Sequence, residues 1–288
     1  MSTHDSKSIL VTGGASGIGL ALVRHFASQP AATHSIAILD INAAAGPSVA
    51  ASVAAEFPAC KISFHACDVS SWDSQAAAFE AVFRAHGNRL DVVIANAGVS
   101  EGGVSSLVRL DGGGGDGDGE PPVRPSVKAV EVNLLGVVYS VNLAVHYMNK
   151  KPKMEGKGTS RGSIICTASN AGLYPLPIAP LYAASKFGVV GLVRSMARVV
   201  GKVGIQINAL APAVLDTNIA SDKDLLNHMV VTPMKTLLRG VDQFLADPFV
   251  SGEVAEIHGD EVTIRPPHEY VDEESRQNIE TFWKLGYA

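Results

Sequence analysis

"SILVTGGASGIGLALVRHF", Ser8 to Phe26, decides the fold. Its opening run of Ile9, Leu10 and Val11 is short and apolar, as a buried strand requires. A turn of small residues follows, and from Gly17 to Ser28 apolar and polar positions alternate at helical spacing. Strand, glycine turn and helix in that order begin a βαβ unit. Small residues let the main chain approach a pyrophosphate, and the amides and dipole at the helix N-terminus favour its negative charge. The positions expected to touch such a group are Gly13, Ser16, Gly17, Ile18 and Gly19.

The second apolar run, "SIAILD", ends at Asp40, 21 residues after Gly19. That is close to the separation expected of an acid that hydrogen-bonds a ribose diol. A carboxylate there repels a 2'-phosphate, and neither Ile41 nor Asn42 after it is basic, nor are Ala15 and Ser16 in the turn. NAD is therefore expected over NADP. Asp40 as a simple helix cap is the plainer alternative.

The same alternation continues along the chain. "KISFHACD" and "LDVVIANAG" read as strands, with helices over Asn42 to Phe57 and Ser71 to His86. A helix from Ser126 to Lys150, the strand "GSIICTAS", a helix from Leu181 to Gly201 and the strand "GIQINALAP" follow. Successive βαβ units imply one α/β domain over residues 1–288: a Rossmann-type, doubly wound parallel sheet of about seven strands with helices on both faces. Residues 101–125 interrupt the pattern. Their segment Asp111 to Gly119 is only glycine and aspartate, which bury no apolar surface, so a mobile surface insertion is expected. The regular spacing of a calcium loop is missing, and no metal site is expected.

Composition narrows the function. With 288 residues, 47% of them hydrophobic, the chain can bury a large core without staples. A net charge of -5 and the lack of a dense Lys/Arg run argue against nucleic acid. The three cysteines, Cys60, Cys67 and Cys166, lie in or beside apolar stretches and read as buried thiols. The polar residues ahead of Ile9 leave no room for a signal peptide, and no uninterrupted apolar run of membrane-spanning length occurs, so a soluble, cytoplasmic protein is expected.

In "LYAASK", Tyr182 and Lys186 are four residues apart and share a helix face. Spacing alone does not distinguish a reactive pair from an ordinary one. Upstream, "SIICTASNAG" is a buried strand ending near Ser169, 13 residues before Tyr182. A free phenol, with its pKa near ~10, is a poor base at neutrality, and a nearby ammonium favours the phenolate.

With "TGGASGIG", "CDVS", "ANAG", "VNLLG" and "YAASK" in order, the chain resembles the short-chain dehydrogenase/reductase family over nearly its whole length. The resemblance implies that Asp68 and Val69 flank an adenine, and that Asn96, Ala97 and Gly98 shape the cofactor pocket. It makes Tyr182 the general base, Ser169 a hydrogen-bond partner of the substrate oxygen, and Lys186 both the tuner of Tyr182 and a ligand of the nicotinamide ribose. Asn133, in "VNLLG", corresponds to an asparagine that kinks a helix and holds a relay water. Pro212, Val214 and Thr217 match positions that reach the cofactor. Ala95 and Ala213 depart from the commoner asparagine and glycine without removing a reacting group.

The loop "LYPLPIAP" and residues 213–232, with Val214, Leu215, Ile219, Leu225, Leu226, Met229 and Val230, are expected to wall an apolar substrate pocket. A hydrophobic secondary alcohol or ketone is the implied substrate. A ketone reductase, a redox-assisted epimerase or a cofactor-binding sensor without turnover are the alternatives. The C-terminal extension, residues 265–288, together with "LDIN" and "CDVS", resembles the hydroxyprostaglandin dehydrogenase-like branch and its fungal relatives in natural-product pathways. Helices apolar over more than one face, Ser126 to Lys150 and Leu181 to Gly201, point to a homodimer.

Overall fold

A computed structural model describes residues 6–29, 33–101, 107, 124–150, 160–217 and 224–286, with the side chain of Leu225 left out. The stretch Asp111 to Gly119 and residues 218–223, Ile219 among them, lie outside the described residues.

The elements run β1 (Ser8–Thr12), α1 (Gly17–Ala27), β2 (Ser35–Asp40), α2 (Gly46–Glu56), β3 (Lys61–Ala66), α3 (Trp72–Ala85) and β4 (Val92–Ala95). A short α4 (Lys128–Val130) passes through a π-helical stretch, Glu131–Leu135, into α5 (Gly136–Asn149). Then come β5 (Gly162–Thr167), α6 (Pro180–Gly201), β6 (Ile205–Pro212), α7 (Met234–Ala246), β7 (Val254–His258), β8 (Glu261–Ile264) and α8 (Glu273–Leu285).

One sheet holds eight strands in the order β3-β2-β1-β4-β5-β6-β7-β8. The first seven are parallel, and β8 returns antiparallel to β7. The expectation of about seven strands is thus one short. The missing strand comes from a two-residue turn, Gly259-Asp260, in which Gly259 takes a φ of 49° that suits a tight hairpin. The α4–α5 segment, Lys128–Asn149, is long and apolar enough to cross a membrane by composition alone. Here it inserts Val137, Val141, Ala144 and Met148 into the core against the sheet, as a buried helix does.

Period-two alternation along the strands sorts the core into two layers. Ile9 and Val11 of β1 pack with Leu22, Val23 and Phe26 of α1 and with Leu237, Val241 and Phe244 of α7. Leu10 points the other way, into the layer of Phe79, Val82, Val141, Ala144, Val189 and Val193. The three cysteines are free and buried, as expected. Beyond the sheet, α8 buries none of its residues. It is tied to α6 by an Arg198–Glu280 ion pair of 2.8 Å and by Trp283, whose ring centroid lies 4.6 Å from the Arg198 guanidinium and 4.0 Å from Lys202 Nζ.

Strand order reverses between β1 and β4. A crevice at the carboxyl ends of the strands opens at such a point, and that is where sheets of this kind bind ligands.

Candidate active site

A cavity of about 500 Å³ runs along those carboxyl ends. Following the strand order, Asp40, Ile41, Asp68 and Val69 line the β2–β3 end, while Gly13, Ser16, Gly17, Ile18, Asn96, Ala97 and Gly98 line the switch point. Ser169, Tyr182 and Lys186 line the β5 side, with Pro212, Val214 and Thr217 beside β6. Of the expected cofactor contacts only Gly19 is not in the wall. A Cβ on Gly19 would lie 2.0 Å from the Gly13 carbonyl oxygen, so its small size seats the helix against the turn.

Gly13 sits at φ 64°, where a Cβ would also meet Ala97 Cα at 2.8 Å. The turn and the loop after β4 are held together by Thr12, a residue the sequence reading passes over. Its buried hydroxyl accepts from Asn96 N–H at 2.9 Å and Ala97 N–H at 3.1 Å. Asn96 Nδ2 donates back to the Thr12 carbonyl at 3.0 Å, and Thr167 Oγ1 donates to Asn96 Oδ1 at 3.1 Å. Asn96 therefore acts chiefly on protein partners.

At the far end, Asp40 Oδ2 accepts from Ala15 N–H and Oδ1 from Asn42 N–H, both at 3.0 Å. A carboxylate keeps further lone pairs, so a diol can still be bound. The cations among the described lining residues are Lys128 and Lys186, carried by α4 and α6 rather than by β2 or the glycine turn. The close-packed glycine turn and the acid at the end of β2 fit a nicotinamide dinucleotide.

The reactive groups meet because Gly172 lets the short 3-10 turn Asn170–Gly172 approach α6. A Cβ there would be 2.7 Å from the Lys186 carbonyl oxygen. The approach brings Ser169 and Tyr182 together in the cavity wall, where the Ser169 hydroxyl donates to Asn170 Oδ1 at 3.2 Å and accepts from Ala171 N–H at 3.1 Å. Lys186, 2% exposed, donates from Nζ to the Thr167 carbonyl at 2.9 Å, and Nζ stands 5.6 Å from the Tyr182 ring centroid.

Two expectations change. Burial pushes the Tyr182 phenol above its usual pKa, with the neighbouring Ser169 acting the other way, so the phenol is not lowered in the protein alone. The lysine is bound to a carbonyl above the ring, and burial pushes its own pKa down to about 8. Asn133 is fully buried and does not line the cavity. Its Oδ1 accepts from Val99 N–H at 2.8 Å, while Nδ2 donates to Val99 O at 2.9 Å and to Ser185 Oγ at 3.2 Å. It lies in the π-helical stretch, which agrees with a helix deformed at this residue, but the side chain works as a strap on the loop after β4.

The substrate wall also differs in part. Val99, Val214, Leu215, Leu226 and Met229 line the cavity, whereas no residue of "LYPLPIAP" does. Tyr174 of that loop instead donates its hydroxyl to Glu256 Oε2 at 3.0 Å, and Ile178 is 63% exposed. Val132 and Lys128, one helical turn apart, line the cavity without having been marked in the sequence. Their four-residue spacing just before Asn133 was the available signal.

Strand order and cavity together define the class, a Rossmann-type α/β protein with a ligand cavity at its switch point. A family model described as short chain dehydrogenase matches residues 7–225. Short-chain dehydrogenase/reductase prx7 of Penicillium rubens is 39% identical over 202 residues, covering 70% of this chain and 66% of that protein. A 5'-hydroxyaverantin dehydrogenase of Dothistroma septosporum is 32% identical over 97% of this chain and 90% of its own length. NADP-dependent dehydrogenase clz5 of Cochliobolus lunatus is 35% identical over 75% of this chain and 73% of its own. Among solved structures, the NADPH-dependent 3-quinuclidinone reductase from Rhodotorula rubra aligns with a TM-score of 0.71 at 27% identity, covering 90% of this chain and 92% of that one. The chain belongs to the short-chain dehydrogenase/reductase family.

Proposed function

We propose that this protein interconverts a hydrophobic secondary alcohol and its ketone, using NAD, in a fungal natural-product pathway. The observation that carries the reading is the continuity of one cavity from Asp40 to Ser169, Tyr182 and Lys186. A nicotinamide bound there would supply the hydride acceptor or donor. Tyr182 Oη takes the proton from the alcohol, and the Ser169 hydroxyl hydrogen-bonds the substrate oxygen as its charge changes. Lys186 holds a positive charge over the phenol and meets the ribose. Apolar walls from Val99, Leu215, Leu226 and Met229 favour a bulky apolar substrate.

The pathway rests on the relatives, among them the 5'-hydroxyaverantin dehydrogenase. The cofactor choice rests on Asp40, against the NADP-dependence in the names of two relatives. A place in the hydroxyprostaglandin dehydrogenase-like branch rests on the motifs and extension described above. Two copies associating through α5 and α6 fit the exposure of Leu135 and Phe187. Ketone reduction is the second reading, favoured by burial, which keeps the Tyr182 phenol protonated and ready to donate.

The test is a panel of hydrophobic secondary alcohols with NAD, and of ketones with NADH, followed by nicotinamide absorbance. Turnover is expected with some member, and Tyr182→Phe should lower kcat by roughly 100-fold or more. Equal rates in the variant would refute the assigned role.

A further inference from the structure

The helix that carries Tyr182 and Lys186 begins without a cap of its own. Its N-cap position is Ala179, which offers no side-chain acceptor, and its first residue, Pro180, has no N–H to satisfy. Ala183 N–H reaches the Ala179 carbonyl at 2.9 Å. Two first-turn donors are left, those of Leu181 and Tyr182. Both go to one distant oxygen: Glu101 Oε2 accepts from Leu181 N–H at 2.8 Å and from Tyr182 N–H at 3.1 Å.

Glu101 is itself firmly based. Two residues before it, Val99 is bound through N–H and carbonyl by the Asn133 amide. Asn133 continues to Ser185 Oγ, and Ser185 Oγ donates to the Tyr182 carbonyl at 2.6 Å. The main chain of Tyr182 is thus held at its N–H by Glu101 and at its carbonyl by Ser185. Both holds trace back to the loop that follows β4 and lines the cavity.

We propose that Glu101 is a positioning residue for Tyr182. Its carboxylate supplies the missing cap of α6, and the positive end of the helix favours an anion there. By fixing the first turn it sets the depth of the phenol beside Ser169, and a misplacement of ~1 Å at a reacting group can cost about 100-fold in rate. The catalytic part of this inference rests on the alcohol–ketone reading. The capping part stands on the geometry alone.

Three substitutions separate reach from charge. Glu101→Gln keeps an acceptor at the same reach, Glu101→Asp keeps the charge but is one methylene shorter, and Glu101→Ala removes both. Hydrogen exchange of peptides covering Leu181 to Ser185 reads the cap without any substrate. Steady-state kinetics, with whichever alcohol or ketone the wild type turns over, reads the positioning.

In Glu101→Ala, exchange at the Leu181 and Tyr182 amides should rise ~10-fold or more, as loss of a charge-assisted bond implies. Its kcat should fall about 10- to 100-fold while the KM for the nicotinamide cofactor stays within roughly threefold. Glu101→Gln, which keeps the reach without the charge, should fall between wild type and alanine in both readouts, and Glu101→Asp should follow alanine. Unchanged exchange in Glu101→Ala overturns the cap. Raised exchange with unchanged kcat, or kcat and cofactor KM lost together, overturns the positioning role. If alanine does not fold, the order of Gln above Asp decides, and the reverse order refutes the proposal. Wild-type protein without turnover would instead sink the alcohol–ketone reading, leaving exchange to judge the cap.

Discussion

Asp40 ends β2 with both carboxylate oxygens on main-chain amides, Ala15 in the glycine turn and Asn42 beyond the strand. It therefore shapes the turn and presents an acceptor to whatever sugar lies there. A hydrogen bond to a charged group contributes ~1.5–3 kcal/mol, or about 10- to 100-fold. Asp40→Ala should lower kcat/KM with NAD by at least ~10-fold and lower it less with NADP, since the repulsion of a 2'-phosphate also goes. An unchanged ratio of the two cofactors would count against the ribose role. At this scale most of the cavity wall was legible, because Gly13, Asp68, Asn96, Ser169 and Tyr182 sit in short motifs whose spacing carries their meaning. Thr12 and Glu101 were not. Their partners lie 84 and 81 residues away, and a lone threonine or glutamate has no local pattern that marks such a contact.

At the scale of elements, the proposed pairing of two copies would use α5 and α6. The π-helical stretch and α6 leave Leu135 40% and Phe187 44% exposed, and Tyr139 of α5 packs edge-on against the half-exposed Trp72. Exposed apolar side chains of this size are what the proposed second copy would cover. Light scattering at micromolar concentration should give twice the 30.0 kDa chain mass, and Leu135→Glu should shift it toward one chain. A single-chain mass for the wild type would rule the dimer out. The helices and strands around the site follow their apolar periodicity closely, α6 beginning one residue before the expected Leu181. Where the reading fell short, local pattern was weak. β8 is a four-residue strand specified by its hairpin partner, and the π-helical stretch depends on Asn133 strapping Val99 from outside the helix.

The whole molecule has opposite chemistry at the two ends of its strands. The carboxyl ends hold the cavity, while the starts of β1, β2 and β4 hold imidazoles that the fold keeps neutral. His34 Nδ1 accepts from Lys7 N–H at 3.0 Å, which an imidazolium cannot do, and its other nitrogen faces Gln29. His86 Nδ1 meets Ser8 Oγ at 2.7 Å. Burial lowers the pKa of His34, and Lys7 and Arg89 lower it further against Asp91. Burial pushes His86 down to about 4, with His65 and Lys61 adding to the effect and Asp91 opposing it. Both groups are protonated more readily in the unfolded chain than in the folded one. Between the unfolded value of ~6.5 and about 4, the unfolded state binds more protons, so stability is full above that window and falls as pH drops through it. After discounting for the solvent-facing part of the ring, a loss of ~1 kcal/mol corresponds to roughly 2–4 °C in a chain of this size. Thermal unfolding should show Tm declining from pH 7.5 to pH 4.5, with a shallower decline in His86→Gln, whose neutral side chain has no proton to gain. A Tm that stays flat over that range in the wild type would mean the imidazoles are solvated well enough to charge without opening the amino ends of these strands.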